Sequence, residues 1–186
     1  MSAIVGGGGG AYRLLDQREL SGSTNVVDFT DLPISVYEHF EVRFSRLVPV
    51  SDNVGLSMRM RVVGGGSFAN GGFDYEFTSA AHTSANPNYS GVGNNGSGQI
   101  QLAGALGAAA TESANGIVRI ANLASTTKFK VVSAEVFFVN ASDQATRYDT
   151  VGHFQGSAAA VDALRFFATS GNMAAGLFQL FGVKGR

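Results

Sequence analysis

The stretch that decides the fold is Val161-Asp-Ala-Leu-Arg-Phe-Phe-Ala-Thr-Ser-Gly-Asn-Met-Ala-Ala-Gly-Leu-Phe-Gln-Leu-Phe-Gly-Val183. Two aromatic-rich runs flank Thr169-Ser-Gly-Asn172, a pattern that predicts a hairpin of two antiparallel strands with a tight connection. Leu164 and Phe166 alternate with Arg165, and Phe178 and Leu180 alternate with Gln179, so each strand offers one apolar row to a core. The other row, Phe167, Leu177 and Phe181, is apolar too. A strand that is apolar on both faces lies between two layers or has its outer face covered by another subunit.

Outward from this stretch the same period-2 signal recurs. Residues 37–48 place Phe40, Val42 and Phe44 on one face and His39, Glu41, Arg43 and Ser45 on the other. After Pro49, Leu56, Met58, Met60 and Val62 are predicted to point inward and Ser57, Arg59 and Arg61 outward. Residues 12–20 and 25–29 read as two short strands separated by Ser21-Gly-Ser-Thr24. Phe73, Tyr75 and Phe77 alternate with Asp74 and Glu76 in a strand over 72–80, and segments 100–102, 117–123, 128–139 and 147–154 supply the rest. Residues 81–98 have no period and read as one long loop. The alanine-rich piece 103–114 reads as a helical turn or a small-residue loop. About ten short strands at intervals of roughly 8 to 15 residues predict an all-β class, an antiparallel jelly-roll-like β-sandwich with a glycine-rich N-terminal arm. The arm is residues 1–11, and 12–186 form a single sandwich domain.

Composition narrows the function. A chain of 186 residues fits one domain. The absence of cysteine excludes disulfides, thiolate metal sites and a cysteine nucleophile. A formal charge of -1, with lysines only at 128, 130 and 184, leaves no electrostatic footprint for nucleic acid. Neither a basic leader followed by an apolar core nor an apolar run of about 18 residues is visible, so the expectation is a soluble product of the cytoplasm with no membrane partner.

No catalytic or cofactor pattern stands out. His39, His82 and His153 lie on different segments, none at a metal-ligand spacing. Asp74 and Glu76 share a strand face, where carboxylates are usually just solvated. The glycine run 6–10 is followed by a strand and not by the helix that a phosphate cradle requires. No Gly-x-Ser-x-Gly elbow aims a serine nucleophile. The expectation is therefore no enzyme, no cofactor and no metal.

What remains is a surface for assembly. Met1-Ser-Ala-Ile-Val is followed by five glycines and Ala11, a run that reads as a flexible arm in isolation. Ordering about ten such residues costs on the order of 10 to 20 kcal/mol, a cost met when the arm lies on a neighbouring subunit, the alternative being a tail that stays poorly ordered. Phe68 and Tyr89 sit on glycine-rich segments, where an aromatic stacks on a sugar, seats in a partner or folds back on its own domain. The predicted assembly interface is Ile4, Val5, Gly6, Gly8, Gly10 and Tyr12 with Phe68, Tyr89, Asn94 and Asn95.

The closing stretch Arg165-Phe-Phe-Ala-Thr-Ser-Gly-Asn-Met-Ala-Ala-Gly-Leu-Phe-Gln-Leu-Phe-Gly-Val-Lys184 resembles the C-terminal signature of small tailed-bacteriophage virion proteins: a strand, Ser-Gly-Asn, a small-residue linker, and a final strand ending in Gly-aliphatic-Lys. Earlier pieces agree in order, with Asp28 and Tyr37 ahead of a long strand, Pro49 followed by Ser51-Asp52, then 56–61. The resemblance implies a non-enzymatic virion component made in the host cytoplasm, with copies of itself, a trimer favoured, and the major capsid protein as partners. Within that class a capsid decoration or cement protein is favoured, since the chain is short and has no stalk-forming repeat. The alternative is a tail-fibre or receptor-binding component for host glycan and, outside the class, a free carbohydrate-binding module. The five-glycine arm falls outside the pattern, and its assembly role is inferred from composition alone.

Overall fold

A computed structural model describes residues 12–88 and 90–184. The predicted arm, with Ile4, Val5, Gly6, Gly8 and Gly10, and Tyr89 lie outside the described residues. Within them are twelve strands and no helix: β1 (Tyr12–Thr24), β2 (Val26–Phe29), β3 (His39–Pro49), β4 (Val54–Val62), β5 (Tyr75–Thr83), β6 (Ser90–Ser97), β7 (Ile100–Leu106), β8 (Ala114–Ala121), β9 (Lys130–Val139), β10 (Ala145–Phe154), β11 (Val161–Ala168) and β12 (Met173–Val183). They form an eight-stranded sheet in the order β1-β12-β3-β8-β9-β10-β5-β6 and a four-stranded sheet in the order β2-β11-β4-β7, with every pairing antiparallel. The all-β antiparallel sandwich expected from the alternation is what the chain forms.

The last two strands are not a hairpin. β11 lies between β2 and β4 in the small sheet, whereas β12 lies between β1 and β3 in the large one. The predicted tight turn is an arch from one layer to the other, with Gly171 in the left-handed region at φ 67°. The β3–β4 connection holds this arch, because Val50 N donates to Asn172 O (2.8 Å), Thr169 N to Gly55 O (2.8 Å) and Gly55 N to Thr169 Oγ1 (2.8 Å). The two aromatic rows therefore meet across the core. Phe166 packs edge-on to Phe29 of its own sheet (6.3 Å) and against Phe178 of the opposite sheet (5.6 Å), and Phe178 stacks on Phe44 (5.5 Å). Leu164, Phe166, Phe178 and Leu180 are all buried, as their alternation predicts.

Other boundaries moved for local reasons. β1 continues through Ser21-Gly-Ser-Thr24, because the arch closes on it: Asn172 Nδ2 donates to Ser23 Oγ, and Thr24 pairs with Met173. The segment 81–98 is not one loop. β5 runs on to Thr83 and β6 returns beside it, its polar and glycine residues paired by backbone alone. The alanine-rich piece continues β7 to Leu106 before turning. Phe73 stays out of β5 and is 80% exposed, since Asp74 caps the preceding turn by accepting from Gly71 N.

Two buried polar side chains tie the layers. The Tyr75 hydroxyl accepts from Met60 N (2.7 Å) and donates to Ala69 O (3.2 Å), and burial pushes its pKa well above the usual range. Lys130 falls on the inward row of β9 with Val132, Ala134 and Val136. Its ammonium donates to three carbonyls, Ser125 O (2.8 Å), Lys128 O (3.2 Å) and Ala158 O (2.6 Å), joining the loops before β9 and before β11.

Candidate functional site

The broadest surface is the outer face of the large sheet, where antiparallel register lines up residues into rows. One row runs Tyr12, Val183, His39, Ala121, Val131, His153, Glu76; the next runs Leu14, Phe181, Glu41, Arg119, Ser133, Val151, Thr78. Glu41 points outward as predicted, yet only 2% of it is exposed. Arg43 Nε at 2.6 Å and Arg119 Nε at 3.2 Å cover its carboxylate. Arg119 also reaches Glu135 (4.0 Å), and Arg147 links Glu135 (3.9 Å) to Asp149 (2.9 Å). Three arginines thus meet three carboxylates, and the centre of the face is neutral. The arginines are each about half-exposed, so single pairs contribute little to stability. Their effect is to leave no net field that would draw in a polyanion.

The apolar part of this face lies towards β6. Phe129, Val131 and Val151 are half-exposed and line a groove of about 750 Å³ with His153, Asn94 and Asn95. The Phe129 and His153 rings lie 5.4 Å apart at 33°. A smaller groove of about 250 Å³ opens between Tyr12, His39, Val183 and Val131 at the opposite end of the first row. The outer face of the small sheet is occupied by its own loop. The Phe68 ring lies under Arg165 (4.2 Å) and Arg61 (5.9 Å), Arg165 holds Asp28 by two bonds (2.8 and 2.6 Å), and Arg61 holds Asp162 (3.0 Å). These carboxylates hold both guanidinium pKa values above their ordinary range.

The predicted interface residues therefore do not converge. Tyr12 is half-exposed at the β1 edge, Asn94 and Asn95 are exposed on β6 beside the larger groove, and Phe68 is folded back against its own domain on the opposite sheet. Sequence reading missed Phe129, Val131 and Val151, whose signal was broken up: they share their outward rows with Ser133, Glu135, Arg147, Asp149 and His153, so no continuous apolar row marks them. Among the described residues, no three His, Cys, Asp or Glu side chains gather as a metal ion would need. No helix there is long and apolar enough to cross a membrane.

No family model and no curated protein matches the chain. Among solved structures, a protein of unknown function from Bacteroides ovatus overlaps 59% of this chain at 2% identity and TM-score 0.25, and the chain spans 45% of that protein. The PL-14 alginate lyase from Aplysia kurodai overlaps 88% of this chain and 81% of its own at 8% identity and TM-score 0.28. A family 7 alginate lyase, A1-II', overlaps 91% and 75% at 8% identity and TM-score 0.22. Overlaps this low establish neither a shared fold nor a shared activity.

Proposed function

We propose that this chain is a non-enzymatic structural component of a bacteriophage virion, a decoration or cement protein that grips the outer capsid shell. The observation that carries the reading is the resemblance over Arg165–Lys184 to small tailed-phage virion proteins. Those residues form the arch and the two strands that hold the layers together, so the resemblance bears on the body of the fold. The neutral arginine–carboxylate face and the apolar grooves at its two ends fit contact with protein better than with a polyanion. In this reading residues 1–11, which precede Tyr12 in the sequence, serve as the grip.

The test is co-sedimentation of the purified protein with emptied or expanded capsids of the parent phage. Expected are saturable binding, raised thermal resistance of the shells, and weaker binding after deletion of the residues before Ala11 with no change in the melting temperature of the domain. Absence of binding to any capsid form refutes the reading, and undiminished binding by the deletion refutes the role of the arm. One observation favours a second reading, a tail-fibre component for host glycan: the groove by β6 combines an exposed aromatic ring, Phe129, with the amides of Asn94 and Asn95. Glycan-array binding lost in Phe129→Ala would select it.

A further inference from the structure

A sheet edge leaves backbone N–H and C=O groups that can take on another strand, and folded proteins guard such edges with charge, bulges, short length or cover. Three of the four edges here are guarded. β1 carries Arg13, Asp16, Arg18 and Glu19 and shifts register twice against β12. β2 has four residues, one of them Asp28 clamped by Arg165. The backbone of β7, and of Gly107 just after it, is engaged from the side: Thr150 Oγ1 donates to Gln101 O (3.0 Å), Ala141 N to Ala105 O (3.1 Å) and Gly107 N to Val139 O (3.3 Å).

β6 has none of these devices over its first five residues. Ser90 to Asn94 pair with β5 in unbroken register, the shift coming only beyond Asn94, and among the described residues no strand lies on their other side. Residues 77–111 contain no Asp, Glu, Lys or Arg. Beside this edge Val92 is 52% exposed, and Phe73, at 80%, rests its ring against Gly96.

We propose that β6 is an assembly edge that pairs antiparallel with β6 of a second copy of this chain, about a twofold axis through Val92. Ser90 then faces the partner strand's Asn94 position, Gly91 faces its Gly93 position, and the two large sheets become continuous. A second copy is the occupant because the strand is neutral and meets itself with no like-charge penalty, which the β1 edge could not do. A self-complementary contact also counts every group twice, so one exposed Val92 and one exposed Phe73 per chain supply two of each to the interface. This inference adds a contact between copies to the proposed function and stands apart from it, since its test involves no capsid.

The full chain is examined by size-exclusion chromatography with light scattering over a range of micromolar concentrations. A species of twice the 19.3 kDa chain mass is expected. Val92→Lys, which sets two ammonium groups against each other on the axis, should give a monomer with unchanged far-UV circular dichroism and melting temperature. In this cysteine-free chain Val92→Cys should cross-link into dimers under mild oxidation, whereas Arg13→Cys on the β1 edge should not. A wild-type chain that stays monomeric, an oligomer that Val92→Lys leaves intact, or equal cross-linking from Arg13→Cys overturns the proposal. So does a chain that dimerises only once residues 1–11 are removed, which would show the arm itself on this edge.

Discussion

Phe166→Ala is the sharpest test of which face of the closing strands builds the core. The ring is fully buried and contacts Phe29 from its own sheet and Phe178 from the opposite one. Truncation of a fully buried Phe costs about 3–5 kcal/mol, the lost transfer energy plus a cavity that the sheets cannot close. For a chain of this size each kcal/mol lowers Tm by roughly 2–4 °C, so a fall on the order of 10 °C is expected. Phe167, one residue on, faces outward beneath the Arg59 guanidinium (4.8 Å), and its truncation should cost only about 1 kcal/mol. The assay is urea unfolding of both variants at a shared m-value, with a Phe166→Ala/Phe178→Ala cycle to isolate the pair, expected to couple by about 0.5–1.5 kcal/mol. If Phe167→Ala costs as much as Phe166→Ala, the inward row is wrongly assigned. If the cycle shows no coupling, the two strands do not face each other across the layers.

Burial holds the Lys130 ammonium below its ordinary pKa of 10.5. Between the folded value and 10.5 the unfolded chain binds more protons, so stability rises with pH through that window. Lys130→Met should remove that rise and expose three carbonyls to a loss of about 1–3 kcal/mol, read as the wild-type minus variant difference in urea midpoint as pH rises towards 10.5, where Tyr75 is common to both chains. Arg165→Lys should cost about 1–3 kcal/mol, since an ammonium cannot both fork onto Asp28 and stack on Phe68. Faster proteolysis between Val63 and Asp74, the loop that Phe68 anchors, would accompany it, and a lysine variant as stable and as protected as wild type would refute the clamp.

Alternation made the strands legible wherever one face was apolar and the other polar. Phe40, Val42 and Phe44, or Leu56, Met58 and Met60, point inward as their spacing predicts. It could not reveal β6, whose Ser-Gly-Val-Gly-Asn-Asn-Gly-Ser carries no periodic side-chain signal and is held by backbone pairing to β5. Nor could it distinguish a hairpin from an arch, because both need a short polar connection with a left-handed glycine. What separates them is which neighbours β11 and β12 have, and that is decided by β2, β3 and β4 far earlier in the chain. Ser57, Glu41 and Lys130 show the same limit from the polar side. Each is buried where its residue type suggests exposure, because partners distant in sequence or in neighbouring loops satisfy it: Gln99 for Ser57 (3.1 Å), Arg119 for Glu41, and the Ala158 carbonyl for Lys130.

The apolar outer row of the closing strands deserves a different reading from the one that sequence invites. Alternation left two options for Phe167 and Phe181, a second layer or another subunit, but the structure uses a third. Arg59 lies over Phe167 and Arg43 over Phe181, each at 4.8 Å, and Arg43 is in turn held by Glu41. A planar guanidinium can cover an aromatic face while its edge still bonds to carboxylate or carbonyl, which an ammonium cannot do. The chain thereby covers this outer row with its own side chains. The surface left without such cover is elsewhere, along Phe129, Val131 and Val151 and the uncharged edge of β6, and it is there that assembly contacts should be sought.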